Sequence, residues 1–256
     1  MSRCQHRQSL FPYYIDEAMG STHNGPKPTY PVKVPVPHHS LVTDDFNALA
    51  FQGASSLQLQ QGLKYQEAAP SSSHLISSPY NRDGHHLDLH TLDPSSQLLA
   101  KALTVLKPIR SDYAVAGYVE SFNWKFVMDV LRDLAIAESH EWKELSFHVV
   151  TFRSVLLPTA DSDRLMELDL YSHWEATVSG GLLKYWFGIK DEKFRNLATC
   201  IWRSKEDARR GGLGPWHRQA IATANELYQS VEFKTWKLTI ADGIEVWEIA
   251  DEKNEI

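Results

Sequence analysis

His217 is the side chain in this sequence with the clearest potential for chemistry. It lies in ATCIWRSKEDARRGGLGPWHRQAI, residues 198–221, just after Pro215, which fits the first position of a helix. On that helix Ile221, Ala224 and Tyr228 follow His217 at i+4, i+7 and i+11, so we expect the imidazole to face the fold. Such a histidine is either an acid–base group in a cleft or a buried residue with a satisfied hydrogen bond, and the second case is the commoner.

Other side chains on neighbouring predicted elements are candidates for the same cleft between sheet and helices. Trp186 and Trp202 would stack on a flat ligand, and Arg203 would bind an anionic group. The full candidate set is His217 and His173 as catalytic groups, with Trp186, Arg203, Trp202, Tyr185 and Trp174 as ligand contacts. Tryptophans can equally fill a core or a dimer interface. The set therefore leaves open whether the cleft is open or filled.

Three further motifs do not indicate a specific site. The segment DGHHLDLH, residues 83–90, is polar and histidine-rich, and we expect adventitious metal binding there rather than a fixed site. The sequence GGLG, residues 211–214, lacks the spacing of a phosphate-binding loop and is interpreted as a kink between helical pieces. Cys200 lies in an apolar run and is expected to be an inert thiol. No metal site or cofactor is predicted from these motifs.

The elements that would position the candidate residues follow a clear order from Glu144 onward. Strands are predicted at 144–157, 182–188, 197–203, 233–242 and 244–250, and helices at 164–178 and 215–230. Before them, 113–120 is predicted as a strand and 124–138 as a helix with Phe126, Val130 and Leu134 on its apolar face. The order β-α-β-β-α-β plus one strand predicts an α+β, ferredoxin-like antiparallel sheet with helices on one face.

The first hundred residues have a different composition. Prolines, histidines and serines are frequent, sustained periodicity is rare, and all eight tryptophans lie at or after Trp124. We expect residues 1–107 to be a largely irregular N-terminal extension, with a weak helix at 45–63 and a better one at 98–106, and residues 108–256 to form the domain. The extension either docks onto the folded part or remains a tail that binds partners.

Charge and hydropathy exclude several classes of protein. The 256 residues carry a formal net charge of −6 with scattered Lys and Arg, which argues against a nucleic-acid partner. No apolar run is long enough for a membrane span, and the N-terminus lacks a secretory signal. Cys4 and Cys200 are not expected to form a disulfide. We expect a soluble cytoplasmic protein, with the nucleus as a second location.

Three stretches carry a resemblance to a known family: SFNW at 121–124, SHWEATVSGGLLKYWFG at 172–188 and NLATCIWRSKEDARRGGLGPWHRQAI at 196–221. They resemble a fungal protein family with no assigned activity, and the core is similar to the dimeric α/β-barrel superfamily. That resemblance implies a homodimer and an apolar pocket that binds, and in some members transforms without a metal, a small hydrophobic or aromatic molecule. In haem-binding members a histidine is the axial ligand, for which His217 or His173 would serve. A non-catalytic dimeric scaffold is the alternative.

Overall fold

The computed structural model describes residues 74–80 and 82–252. Within these residues the strands are β1 (His74–Leu75), β2 (Leu87–Asp88), β3 (Leu145–Leu156), β4 (Leu182–Phe187), β5 (Arg195–Trp202), β6 (Tyr228–Ile240) and β7 (Trp247–Asp251). The α-helices are α1 (Pro94–Ala102), α2 (Tyr118–Ser121), α3 (Trp124–Ala137), α4 (Ser162–Ser179), α5 (Lys205–Gly211), α6 (Pro215–Ala222) and α7 (Ala224–Leu227). No helix among the described residues is long and apolar enough to cross a membrane.

The main sheet confirms the ferredoxin-like prediction. Its strand order is β4-β5-β3-β6-β7, and every neighbouring pair is antiparallel. The crossover through α4 joins β3 to β4 past β5, and the crossover through α5 to α7 joins β5 to β6 past β3. Two interlocked split βαβ units result, which is the ferredoxin-like arrangement. The predicted final hairpin is also present, because β7 pairs with the end of β6.

The two crossovers place α4 and α5 on one side of the sheet, which we call the crossover face. The residues buried between them and the sheet are Val150, Ala176, Leu182, Tyr185 and Trp202. Asp161 caps the N-terminus of α4 by accepting from the backbone N–H groups of Asp163 and Arg164. Gly180, at φ +85°, ends the helix in a conformation that favours glycine.

The opposite side of the sheet, the covered face, packs against α1 and α3. Val149, Leu197 and Leu238 from the strands share one core with Leu99 of α1 and Leu131 of α3. The fold therefore adds a second helical layer to the ferredoxin-like unit.

The domain does not begin at residue 108. Eight leucines before that position belong to the core of the covered face: Leu75, Leu87, Leu89, Leu92, Leu98, Leu99, Leu103 and Leu106. Asp93 caps α1 through the backbone N–H of Ser96, and Pro94 takes the first helical turn, so the predicted helix at 98–106 starts four residues earlier. The helix predicted at 45–63 lies outside the described residues, as does Cys4.

Tertiary packing overrides several local predictions. The predicted strand at 113–120 is wrong: this stretch is a turn followed by α2, in which buried Tyr118 bonds the Thr199 hydroxyl across 2.8 Å. The helix predicted at 215–230 ends at Ala222, and strand β6 already begins at Tyr228. In α3 the apolar side is broad, and Phe126 is left exposed while Val127 and Leu131 are buried.

Candidate binding cleft beside helix α4

Helix α4 turns its polar residues inward, against the sheet. The apolar residues at four-residue spacing, Met166, Leu170, Trp174 and Val178, lie on the outer side of the helix, whereas Leu168, His173, Glu175 and Ala176 are buried. Buried polar groups need partners, since an unpaired one costs about 1–3 kcal/mol. The partners come from the segment 74–88 and from α6.

His173 pairs with His85. Their Nδ1 atoms lie 2.8 Å apart, so one ring donates a hydrogen bond and the other accepts it. The planes of the two rings are nearly parallel, at an angle of 9°. Burial is the main cause that lowers the pKa of His85 to about 4 and the pKa of His173 to about 3. Both imidazoles are neutral at pH 7. Among the described residues, His173 Nε2 has no hydrogen-bond partner.

Asp169, one turn before His173, accepts hydrogen bonds from two tyrosines. The Tyr185 hydroxyl of β4 lies 2.5 Å from Asp169 Oδ1, and the Tyr80 hydroxyl bonds Oδ2. Burial raises the pKa of Asp169, although the two hydroxyl donors lower it in part. The Tyr80 ring also contacts both histidine rings at centroid distances of 5.3 and 5.1 Å. These contacts fix the segment around Tyr80 to the crossover face.

His217 has a structural partner in Glu175. The Glu175 carboxylate accepts from the backbone N–H groups of Trp216 and His217 at 2.8 and 3.1 Å, and it lies 3.0 Å from His217 Nδ1. Burial opposes ionisation, but these hydrogen bonds outweigh it and lower the pKa of Glu175. Glu175 thus caps the N-terminus of α6 from a neighbouring helix. Gly214 makes this possible, because a Cβ there would lie 2.0 Å from the carboxylate.

A cleft of about 330 Å³ opens beside these groups. Its aromatic wall consists of Tyr171 and Trp174 from α4 and Trp216 from α6, with Tyr171 and Trp216 stacked at 4.3 Å. Trp174 is 43% exposed. The remaining lining residues are Leu170 of α4 and Arg82, Asp83 and His85 of the adjoining loop. The loop comes close to Trp174 at Gly84, which has φ +81° and whose added Cβ would lie 3.1 Å from the indole.

The cleft predicted directly between sheet and helices is filled. Tyr80 occupies it, with ring contacts to Tyr185 at 6.5 Å and Phe187 at 6.1 Å as well as to the two histidines. Tyr80 comes from the stretch that the sequence interpretation assigned to the irregular extension. The open cleft therefore lies on the outer side of α4.

The predicted site residues are only partly brought together. His173 and Trp174 lie on α4, and Tyr185 contacts this helix through Asp169. His217 contacts it through Glu175. Trp186 lies on the covered face, where it packs against Phe122 at 4.9 Å. The other two candidates have structural contacts.

Trp202 and Arg203 do not reach the cleft. Trp202 is buried beneath α5, where a Cβ on Gly211 would lie 2.2 Å from its ring. Arg203 binds Asp207 through Nε at 2.8 Å and through its terminal nitrogen at 3.0 Å. Its guanidinium therefore has a carboxylate partner. Neither residue lines the open cleft, because both serve the packing of α5.

Sequence reasoning missed the cleft loop and the buried acids. His85 was assigned to a segment for adventitious metal binding, yet it is buried, and no group of three metal-ligating side chains occurs among the described residues. Asp169 and Glu175 lie at the inward positions of α4, and their i, i+6 spacing gives no motif. The one signal for Asp169 and Glu175 is that α4 carries polar residues on its inward side as well as on its outward side. Cys200 is as predicted, since burial raises the pKa of its thiol.

Neither histidine proposed as a haem ligand is suited to that role. His173 is buried against His85 and does not line the cleft, while His217 uses Nδ1 to bind Glu175 and also lies outside the lining. An axial ligand needs an imidazole nitrogen that faces the space for the macrocycle. These residues therefore do not fit haem.

Comparison with known proteins decides the family. A protein-family model described as PB2B2.08-like matches residues 76–251. The chain belongs to the PB2B2.08-like family. A PB2B2.08-like relative, UPF0643 protein PB2B2.08 of Schizosaccharomyces pombe, is 38% identical over 174 residues, which are 65% of this chain and 79% of the relative. The predicted resemblance to a fungal family is confirmed, and the match starts within the segment that contains Tyr80.

Similarity of this PB2B2.08-like chain to solved structures is limited to part of the fold. The structure of Rv0793 from Mycobacterium tuberculosis matches 35% of this chain and 91% of its own length, at 17% identity and a TM-score of 0.32.

Proposed function

We propose that this protein binds a small aromatic molecule in the cleft beside α4. The observation that carries the proposal is the convergence of Tyr171, Trp174 and Trp216 on one opening. Large indole and phenol rings left in contact with solvent offer a stacking surface for a flat ligand. The volume of about 330 Å³ suits one or two fused rings.

The polar end of the cleft supports an acidic substituent on the ligand. Arg82 is exposed at the rim, and among the described residues it forms no ion pair. An arginine fork binds a carboxylate through two parallel hydrogen bonds. This role replaces the one proposed for Arg203, whose guanidinium binds Asp207. His85, neutral at pH 7, would hydrogen-bond a second polar group of the ligand.

If the bound molecule is transformed, we propose His217 as the acid–base residue and proton transfer as the reaction class. Support comes from Glu175, which orients the ring through Nδ1 and leaves Nε2 as the reactive nitrogen. His217 is about a quarter exposed and lies next to Trp216, just outside the cleft lining, so only a ligand that extends past Trp216 would reach its Nε2. His173 is proposed only as a positioning residue for His85.

A binding experiment tests the proposal. Purified full-length protein is analysed by native mass spectrometry for a retained small molecule and titrated with benzoate-type and naphthoate-type acids, using tryptophan fluorescence and chemical shifts. Saturable binding is expected. Trp174→Ala should weaken it by roughly tenfold or more, because the stacking surface is removed.

Matched variants separate the contacts. Arg82→Gln should weaken binding of an acid but leave the corresponding primary amide unchanged. Ile221→Ala, an exposed position of α6 outside the cleft, is the control and should change neither. Absence of saturable binding, or a Trp174→Ala variant that binds as well as the unchanged protein, would refute the cleft.

We also propose a homodimer and a cytoplasmic location. The homodimer cannot use the covered face as a barrel-type dimer would, because α1 and α3 pack there. Its surface has to be sought on another part of the sheet.

A further inference from the structure

One β-turn forms the polar side of the cleft. The backbone N–H of His85 donates to the Arg82 carbonyl at 3.1 Å, and Gly84, the third residue of this turn, has φ +81°. A turn closed in this way, with a positive φ at its third position, brings its first and last Cα atoms within about 7 Å. Arg82 and His85 both line the cleft, so their side chains are available to one ligand at the same time.

Electrostatics also indicate that the two side chains lie close together. Burial is the largest cause that lowers the pKa of His85 to about 4, and the positive charge of Arg82 is the next. His85 is therefore neutral at pH 7, and one of its ring nitrogens carries no proton. A guanidinium and a neutral imidazole side by side suit a ligand with two different polar substituents.

Nε2 is the nitrogen of His85 that a ligand can reach. The Nδ1 atoms of His85 and His173 lie 2.8 Å apart while their ring centroids lie 5.1 Å apart, so the two rings meet edge to edge. Nδ1 of His85 is thus bonded to a buried partner on α4. Among the described residues, Nε2 of His85 forms no hydrogen bond, although this side chain lines the cleft.

The histidine pair can carry the proton between its rings in two ways. Either His173 donates from Nδ1 and leaves its Nε2 bare, or His85 donates from Nδ1 and His173 carries its proton on Nε2. His173 Nε2 is buried and has no hydrogen-bond partner among the described residues. The rings of Tyr80 and Tyr185 lie around His173, at centroid distances of 5.1 and 5.4 Å. Aromatic faces are weak acceptors for an N–H group and repel a lone pair, so these surroundings favour the second arrangement.

In the second arrangement the pair presents a hydrogen-bond acceptor to the cleft. His85 uses its proton on Nδ1, and its Nε2 directs a bare lone pair toward the ligand. A phenolic hydroxyl is a strong donor that an aromatic ring can carry without charge. When it donates to Nε2, it extends the chain of hydrogen bonds through His85 to His173, and the members of such a chain strengthen one another. A ligand that can only accept at this position would leave Nε2 unpaired.

We propose that the ligand of this cleft is a hydroxylated aromatic acid, whose carboxylate binds Arg82 and whose hydroxyl donates to His85 Nε2. His173 is the positioning residue that holds the His85 ring with its proton on Nδ1. The inference rests on the proposed binding of an aromatic acid and names the second substituent that the cleft selects. Both polar contacts come from the turn 82–85, while Trp174 provides the stacking surface.

Titration of the full-length protein with matched ligands at pH 7 tests the hydroxyl contact. The ligands are benzoate, its meta-hydroxy and para-hydroxy forms, and the methoxy form at each position, with binding followed by chemical shifts. One of the hydroxy acids should bind about three- to tenfold more tightly than benzoate, as expected for one hydrogen bond, whereas its methoxy counterpart should not. Hydroxy acids that bind no more tightly than benzoate would overturn this inference but not the aromatic cleft. If none of the acids binds, both proposals fail.

Two variants in the turn locate the hydroxyl contact. His85→Asn keeps a polar group at the position of Nδ1, where it can bond His173, but removes the atom that faces the ligand, so the hydroxy acid and benzoate should bind equally. Asp83→Asn is the matched control, because it changes the charge at the cleft for every acid alike and should preserve the ratio of the two dissociation constants. A preference for the hydroxy acid that survives in His85→Asn contradicts the contact.

Nitrogen NMR spectra of the imidazole rings report the proton arrangement directly. In the free protein, His85 should be protonated on Nδ1 and bare on Nε2, and the hydroxy acid should shift the Nε2 resonance more than benzoate does. His173→Leu should lower the preference for the hydroxy acid, because the ring and its tautomer are no longer fixed, whereas His173→Asn should retain it. A proton on His85 Nε2 in the free protein, or an equal preference in the two His173 variants, would overturn the assignment.

Discussion

The His85–His173 pair shows how single side chains hold the α4 side of the molecule together. Each ring replaces water as the partner of the other at 2.8 Å, and burial keeps both neutral. Tyr80 packs over the pair and is itself bonded to Asp169. The segment that carries Tyr80 and His85 is thereby attached to α4 by two polar contacts, each of which depends on the protonation state of a buried group.

Stability should consequently fall on acidification. The pKa values of the two histidines in the folded chain, about 4 and about 3, lie below the ordinary 6.5, so the unfolded chain binds more protons below pH 6.5. The free energy of unfolding is fully present above pH 6.5 and declines as the pH falls toward 4. For His173 alone the loss by pH 4 is on the order of 3 kcal/mol. Urea denaturation at pH values between 4 and 7 measures it.

His173→Asn provides the matched comparison, because the amide keeps a polar group at the position of Nδ1 but does not titrate. Its denaturation midpoint should depend less on pH between 6.5 and 4 than that of the unchanged protein. The raised pKa of Asp169 acts in the opposite direction, since it stabilises the folded chain at lower pH, but it is present in both proteins and cancels in the difference. Parallel pH profiles would mean that His173 is not the titrating group.

At the scale of elements, the strands and their order could be predicted from sequence, whereas the faces of the helices could not. The runs at 145–156 and 228–240 are β-branched and aromatic, and the ends of both strands lie within one to five residues of the predicted ends. The apolar residues of α4 at four-residue spacing do not mark its buried side, because the helix buries His173 and Glu175 and exposes Trp174. Periodicity identifies an apolar side but not a buried polar one.

The contact between α4 and α6 gives a prediction for two glycines of the GGLG sequence. Gly214→Ala should destabilise the protein by about 1–3 kcal/mol, since the new Cβ displaces the Glu175 carboxylate and leaves the Trp216 and His217 N–H groups unpaired. Gly212→Ala is the control, because the nearest atom to its Cβ lies 3.6 Å away. Thermal unfolding of both variants measures the difference, and equal melting temperatures would contradict the capping role of Glu175.

At the scale of the whole molecule, the ferredoxin-like unit is one layer of a larger packing. Its strand order follows from the sequence after Glu144, but the layer on the covered face does not, because α1 and the leucines of 75–106 lie in a stretch whose composition indicated an irregular extension. Short leucine-containing segments without periodicity form no pattern on their own. They become core only when Val149, Leu197 and Leu238 of the sheet are placed against them.

Truncation tests whether the residues before Pro108 are an irregular extension or a necessary part of the core. A protein that starts at His74 keeps every described core residue and should unfold cooperatively, as the full chain does. A protein that starts at Pro108 loses eight buried leucines, each worth about 1.5–3 kcal/mol. That loss equals or exceeds the whole stability of a typical domain, about 5–15 kcal/mol.

The shorter chain should therefore fail to fold. Circular dichroism and amide dispersion measure this directly, with the chain from His74 as the control. If the protein that starts at Pro108 folds cooperatively, α1 is not needed for the stability of the sheet. If it does not fold, the layer formed by residues 74–107 is required to cover this face of the ferredoxin-like sheet.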